Sequence, residues 1–438
     1  MSFDPTAQAA RAITAILADF RSGPHRGVVV DSPPGAGKST LVVHTAVSLA
    51  TDGERLMIVA QTNEQVDDLT RNLAARLPDG LVVGRLISST YRPPADLIAL
   101  TNVMVDQDPG ALGSCEVIVA TAARFAYVKD GTWPWAIVDE AYQMRSDALL
   151  AIAPRFDRAL FVGDPGQLDP FSVVQNDRWR GLSWDPMQSA VAGLLRSNPD
   201  LPVHRLPVSW RLPASAEQVV ATAFYPYNGF RTGAGPADRE LTFSTRAFGH
   251  SAVDAVLARA AGTGWAYWEL PARHTTRTDA EAVCAVADVT RRVLERGTVA
   301  RSHDDTRPVT ARRVAVGTAH RDQAAALREA LADLPEVTVS TANRLQGREY
   351  DVTVILHPLS GRRDATAFHL EAGRLCVLTS RHRQACVVVG RAGIRELLDV
   401  HPGSEPVHLN EPVKFPDGWA ANQTMIHHLL EHRVNAER

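Results

Sequence analysis

Short runs of β-branched and aliphatic residues punctuate this chain, separated by stretches with helical spacing. In the first half they are "RGVVVDS", "RLMIVAQT", "CEVIVATA", "WAIVDEA" and "RALFVGDP"; in the second, "RVAVGTA", "VTVSTA", "DVTVILH", "RLCVLTS" and "ACVVVG". Runs that are apolar throughout, rather than alternating, mark strands buried on both faces, as in parallel βαβ sheets. The pattern predicts an α/β protein with two tandem parallel sheets, divided near residue 200 where "SNPDLP" interrupts it. The expected domains are 1–200, with a small insertion at about 81–114, then 201–400. Residues 401–438 are a Pro-rich connector and a short amphipathic helix, "ANQTMIHHLLEH". His428 and His432 share one face of that helix, which is read as a solvated face rather than a metal site.

Composition narrows this little. At 438 residues, 45% hydrophobic and 22% charged, the chain can bury a core in each of two domains. No run approaches the roughly 18 apolar residues of a membrane span, and no basic-then-apolar leader opens the chain, so a cytoplasmic protein without a membrane partner is expected. Cys115, Cys284, Cys376 and Cys386 form no CxxC pair and read as buried free thiols. Net charge is −3, with 17 Lys+Arg against 23 Asp+Glu in residues 1–200 and 29 against 26 in the rest. That balance excludes a protein that grips nucleic acid by bulk charge alone; binding of that kind requires a local groove.

The basic residues are almost all arginine, and the lysines are Lys38, Lys129 and Lys414. One of them lies in "DSPPGAGKST", directly after a strand and opening a helix. An ammonium is a compact point charge that reaches phosphate oxygens inside a loop too tight for a planar guanidinium. Gly35 and Gly37 let successive N–H groups turn inward as an anion nest, and the helix beginning near Lys38 adds its positive end. The loop Pro34, Gly35, Ala36, Gly37, Lys38, Ser39 and Thr40 is therefore the expected phosphate cradle, with Ser39 offering a hydroxyl to Mg²⁺. In "WAIVDEAYQM" a strand delivers Asp139 and Glu140 to the same sheet edge. Asp139 suits Mg²⁺, largely through water, and Glu140 is placed to orient and deprotonate an attacking water. Gln167, in "GDPGQLDP", is either part of a plain turn or a sensor of the terminal phosphate.

The ordered series "SPPGAGKST", "AQTNEQVDDL", "VDEAYQ", "GDPGQLDP", "LPVSWRLP", "STANRLQGREYD" and "LTSRHR" resembles the superfamily 1 helicases, and within them the DEAxQ-box, Upf-like branch. It spans roughly residues 8 to 390. The resemblance implies two RecA-like P-loop NTPase domains with ATP between them and 5′→3′ movement. By the same resemblance Arg211 and Arg381 are the arginines aimed at the γ-phosphate, where fixed guanidinium donors meet charge on the transferring group. Trp210 stands at the position of an adenine-packing tyrosine, with core packing as the alternative; Gln8 resembles the adenine-reading glutamine. Gly347 and Glu349 fall in the coupling motif. Thr62, Asn63, Thr121, Arg124, Thr318 and Thr341 are strand-contact candidates, since short polar groups at strand ends bind phosphate and sugar without reading sequence; ordinary loop polarity is the alternative. The chain departs from the family at Ser32 (for glycine), Gln61 (for proline), Ala319-His320 (for Pro-Tyr) and Asn343 (for aspartate).

The expected function is an ATP- and Mg²⁺-dependent helicase or translocase on single-stranded DNA or RNA, acting as a monomer. With only residues 81–114 as an insertion, translocation or ATPase activity is expected to exceed duplex separation unless a protein partner supplies a wedge. Two alternatives stand beside it: a nucleotide-switched, motor-like subunit of a repair, defence or RNA-processing complex, and a P-loop phosphotransferase.

Overall fold

The computed structural model describes residues 3–168, 185–227, 229–246, 252–276, 278–303, 305–401 and 417–435. They form two compact units: Met1–Pro165 with Asp169–Pro207, and Gly166–Leu168 with Val208–Arg438.

Unit 1 is built on the strands β1 (Gly27–Asp31), β2 (Leu56–Ala60), β3 (Val83–Leu86), β4 (Val103–Asp106), β5 (Val117–Thr121), β6 (Trp133–Asp139), β7 (Phe156–Gly163) and β8 (Val203–Arg205). Among the described residues they make one eight-stranded sheet in the order β4-β3-β5-β2-β6-β7-β1-β8. Every pairing in it is parallel. All five residues of β1 and of β2 are buried, which explains why these strands read as unbroken apolar runs. Val28, Val30, Ile58, Val119, Ile137 and Leu160 of the sheet pack with Leu41, Leu49, Val66 and Leu69 of the covering helices. The register sets Asp31 beside Gly163 and Asp139 beside Val162, so β1, β6 and β7 end together.

The segment expected as an insertion supplies β3 and β4, which extend the sheet beyond β5. Arg85 on β3 is fully buried and is held by Asp67 at 2.9 Å.

Unit 2 contains β9 (Val208–Ser209), β10 (Arg231–Thr232), β11 (Arg239–Phe243), β12 (Trp265–Leu270), β13 (Thr298–Ser302), β14 (Asp305–Pro308), β15 (Val314–Thr318), β16 (Thr338–Thr341), β17 (Tyr350–Leu356), β18 (His382–Arg391) and β19 (Arg433–Asn435). Its main sheet is parallel, in the order β16-β15-β17-β18-β12-β19, with β11-β13-β14 as a separate antiparallel sheet. Successive residues of the central strands point to opposite faces: Ile355 and Val388 join one apolar cluster, Val354 and Val387 the other.

Three expectations are corrected here. "RLCVLTS" is not a strand but lies in the helix Ala372–Thr379, where every residue from Gly373 to Thr379 is buried. A helix enclosed on all sides loses its polar stripe and reads like a buried strand. Cys284 is exposed, while Cys115, Cys376 and Cys386 are buried. The C-terminal helix, Gly418–Glu431, has His428 half-buried against Trp265 rather than on a solvated face. Most of the Pro-rich connector, residues 402–416, lies outside the described residues. No helix among the described residues is long and apolar enough to cross a membrane.

Candidate active site

The turn after β1 is the centre of the site. Ser32, where the resembling family has glycine, is buried and donates its N–H to the Gly163 carbonyl at 2.8 Å, tying the loop entry to β7. Gly35 and Gly37 have φ of 73° and 88°. A Cβ at Gly37 would meet nothing within 4 Å, so the left-handed backbone, not crowding, demands glycine there. Gly37 caps the helix Lys38–Thr51 with no side-chain hydrogen bond, leaving that end suited to an anion. Pro34 and Ala36 are buried, whereas Ser39 and Thr40 are exposed.

The carboxylates arrive from β6. Asp139 is 6% and Glu140 4% exposed. Lys38 Nζ contacts Glu140 Oε1 directly and lies 3.7 Å from Asp139 Oδ1. Burial opposes the Lys38 charge, yet the Glu140 and Asp139 carboxylates outweigh it and raise the lysine's pKa. Burial also raises that of Asp139, a shift eased by Lys38 and reinforced by Glu140. Glu140 has φ of 52°, the one non-glycine residue with positive φ among the described residues. That conformation costs about 1–2 kcal/mol. It is held by two hydrogen bonds: Glu140 N–H donates to Asp139 Oδ1, and Gln143 Nε2 donates to Glu140 Oε2, each at 2.9 Å. Strain kept in place this way marks a position set by function rather than by folding preference.

Sequence reasoning missed the support beneath these acids. The Tyr142 hydroxyl donates to Asp31 at the end of β1. Burial, with Asp31 beside it, raises the phenol's pKa far above its ordinary value, so it keeps its proton. Gly163 makes room for this arrangement, because a Cβ there would stand 2.9 Å from Tyr142 Cδ2 and 3.1 Å from Ala141 N. The tyrosine two places after Glu140 and the glycine before Asp164 were the available signals.

Within unit 2, Arg211 Nε pairs with Glu349 Oε2 at 3.3 Å, and Arg383 Nη1 with Glu349 Oε1 at 2.8 Å. Burial resists the Glu349 charge, but the two guanidiniums hold its pKa below the ordinary value. Arg381 is 1% exposed; its Nη2 donates to Ser380 Oγ at 2.9 Å, and its Nε has no hydrogen-bond partner among the described residues. Gln167 packs with this unit, its backbone 2.6 Å from where a Cβ on Gly373 would stand. Trp210 is 39% exposed and lies over Gly233, so core packing is not its role. Gly347 has φ of 77° and open space around it.

Residues 261–393 match the AAA_12 family model, an AAA domain. That span holds Thr318, Thr341, Gly347, Glu349 and Arg381, and it follows a unit carrying the lysine loop and its acids in the expected order. Over those residues the chain is similar to an AAA domain. A curated relative, replicase polyprotein 1ab of Breda virus 1, is 27% identical over 158 residues, 36% of this chain and 2% of the polyprotein. Among solved structures, the Arterivirus nonstructural protein 10 helicase is 15% identical with a TM-score of 0.44, covering 87% of this chain and 61% of that one. Its complex with DNA gives 0.42 at 15% identity, covering 87% and 63%. The PRRSV helicase gives 0.41 at 15% identity, covering 87% and 54%. The chain thus spans a small part of the curated relative and less than two thirds of the solved chains it resembles.

Several of the strand-contact candidates have partners within the fold. Thr318 is fully buried and its hydroxyl donates to Gln323 Oε1, which removes it from any surface. Arg124 donates to the carbonyls of Ile87, at 2.9 Å, and Gln107, so its guanidinium fixes the β3–β4 region. Thr62 and Thr121 cap helices: Thr62 accepts from Gln65 N in a capping box, and Thr121 accepts from Arg124 N. Asn63 Oδ1 accepts from buried Arg85 at 3.0 Å. Thr341 is half-buried and starts the helix Ala342–Leu345 without a side-chain cap bond. Gln8 is exposed on the helix Pro5–Ser22.

Proposed function

We propose that the chain is an ATP-hydrolysing motor that moves along single-stranded nucleic acid, 5′→3′ as its branch of superfamily 1 implies. The observation that carries this reading is Lys38, held by Glu140 and Asp139 at the mouth of a loop whose two glycines have left-handed backbones. Hydroxyl, carboxylate and ammonium groups around a helix N-terminus that lacks a side-chain cap together suit a magnesium-bound triphosphate. Ser39 and Asp139 would hold Mg²⁺, which supplies neutralising charge to phosphate oxygens. On triphosphate binding Lys38 exchanges its acid partners for phosphate oxygens. Glu140, relieved of its ion pair, then serves as the base that orients and deprotonates water. Arg211 and Arg381 provide the fixed guanidinium charge, a role carried by the resemblance, with Glu349 orienting Arg211. Trp210, Gln8 and Gly347 complete the nucleotide contacts, Gln167 reports the γ-phosphate, and Thr62, Asn63, Thr121 and Thr341 remain the strand contacts. A protein partner supplies duplex separation.

The test is ATP turnover with single-stranded DNA, single-stranded RNA, duplex DNA and no polymer, at fixed salt. Single strands should stimulate turnover. Glu140→Gln should keep ATP binding and lose at least about a hundredfold in turnover. Turnover that ignores every polymer, and that Arg381→Ala leaves intact, replaces the motor reading with a phosphotransferase.

A further inference from the structure

The last turn of the helix Gly418–Glu431 carries imidazoles that the ATPase chemistry leaves unused. His428 and His432 are one helical turn apart, with ring centroids 4.6 Å from each other, and the edge of Trp265 packs on His428 at 5.0 Å. One ligand atom from each of His428, Glu431 and His432 lies within 4.8 Å of the others. Nε2 of His428 and Nδ1 of His432 are both buried and have no hydrogen-bond partner among the described residues. An unpartnered buried polar atom costs about 1–3 kcal/mol, and here there is one on each of two neighbouring rings.

We propose that His428, His432 and Glu431 form a binding site for a divalent transition-metal ion of the zinc class. Two imidazoles at i and i+4 on one helix face are a natural chelating pair, and a carboxylate beside them completes three protein ligands, leaving one tetrahedral position for water. Glu431 is exposed and pairs only loosely with His427, at 3.6 Å, so its carboxylate is free to turn toward the rings. The Arg259 guanidinium, a cation close enough to act on His432, donates to the Glu431 main-chain oxygen. The site also has a structural setting. The His432 carbonyl accepts from Tyr267 N at 2.9 Å, just before β19 joins β12. A bound ion would therefore fix the last turn of the terminal helix, directly before the strand that joins the sheet edge.

The full chain, stripped with chelator, is titrated with Co²⁺ and then Zn²⁺. The expected result is a 1:1 Co²⁺ complex with the strong visible absorption of a nitrogen-containing tetrahedral site, displaced by Zn²⁺, and a higher thermal midpoint with either ion. Oxygen-only ligation at Ser39 and Asp139 lacks that absorption. His432→Gln and Glu431→Gln should each weaken binding at least about tenfold and reduce the band. His428→Gln should do the same; should it fail to fold for want of its contact with Trp265, His432→Gln decides. His320→Gln is the control, because His320 and His369 form another close pair, Nε2 to Nε2 3.2 Å. Absence of the Co²⁺ band, a band unchanged in His432→Gln, or one lost in His320→Gln instead, overturns the assignment.

Discussion

In unit 1 buried charge gathers at the ends of β1, β6 and β7, where Asp139, Glu140 and Asp164 lie around Lys38 and Asp31 accepts from Tyr142. The Arg85–Asp67 pair is set apart from this cluster. In unit 2 buried charge and imidazoles run through the core: Asp351 between Arg307 and Arg313, Asp279 with Arg391, Asp254 with Arg292 and Arg296, and His357 and His382 with almost no exposure. The first arrangement is concentrated beside an anion-ready loop, so a ligand can re-pair it. In the second, the arginine–carboxylate pairs are fixed to one another, so they shape the unit rather than await a ligand.

Acid should separate the two most strongly. Burial lowers the pKa of His357 to about 3; burial, aided by Arg211 and Arg381, lowers that of His382 to about 3 as well. A histidine whose folded pKa is depressed contributes stability above its ordinary value near 6.5, and that stability is lost as pH falls toward the folded pKa. At pH 4.5 the two together remove on the order of 5 kcal/mol from unit 2. Asp351 and Glu349, both lowered on balance by their arginine partners despite burial, add to the loss at still lower pH. In the unit 1 site the signs differ. Asp139 is raised by burial, so its ionisation penalty is relieved as pH falls, and raised Lys38 loses its contribution only in strong alkali. Hydrogen exchange at pH 7 and pH 4.5 should therefore show β17 and β18 opening while β1 and β7 stay protected. His382→Gln should remove about half of the pH slope in unit 2. Equal opening of both units, or an unchanged slope, breaks the comparison.

A second break concerns one fixed pair. Arg391 is 1% exposed and donates to Asp279 through two bonds of 2.8 Å, with Glu281 as a third acceptor. Asp279 also caps the helix Ala280–Glu295 by accepting from Ala282 N. Asp279→Asn keeps the cap but leaves the buried guanidinium short of charge, costing about 3 kcal/mol. Asp279→Ala should lose about 1 kcal/mol more with the cap. Urea unfolding at pH 7 measures both; equal losses in the two variants would remove the cap from the account.

The same contrast explains what could be read along the chain. The phosphate loop and Asp139-Glu140 were legible because each is a contiguous string at the end of an apolar run, where neighbours in sequence are neighbours in space. Arg391 and Asp279 are 112 residues apart, and no local pattern announces such a pairing. The helix Ala372–Thr379 was misread because burial on every side erased its period. Thr318 was misread for a related reason: a polar residue at a strand end looks like a ligand contact until a buried partner, here Gln323, is found for it. β3, β4 and β19 are three or four residues long and take their place from the sheet edge they join, not from their own sequence.

Gly163→Ala tests whether the unit 1 site depends on the close fit beneath it. The new methyl would meet Tyr142 and the Ala141 backbone at about 3 Å, beside the strained Glu140 turn. Overpacking of this kind costs about 1–3 kcal/mol. The larger consequence is positional: a shift of Glu140 by a fraction of its reach should lower ATP turnover up to about a hundredfold while nucleotide binding through Lys38 persists. If turnover falls only in proportion to folded protein, Tyr142 and Gly163 belong to the scaffold alone.

The smallest expected effect sharpens the line between scaffold and strand contact. Thr62 Oγ1 accepts from Gln65 N at 3.2 Å, and Thr62 N–H donates to Gln65 Oε1 at 3.0 Å, so the residue closes a capping box on the helix Asn63–Ala74. Thr62→Ala should cost about 1 kcal/mol, and Thr62→Ser, which keeps the oxygen, far less. A hydroxyl that only caps leaves single-strand affinity unchanged once both variants are folded. A hydroxyl that also meets the strand gives an affinity loss in Thr62→Ala that Thr62→Ser restores and that persists at every salt concentration, since a neutral contact releases no counterion. That salt-independent loss is the outcome expected of a Thr62 that serves both scaffold and strand; its absence leaves Thr62 to the scaffold alone.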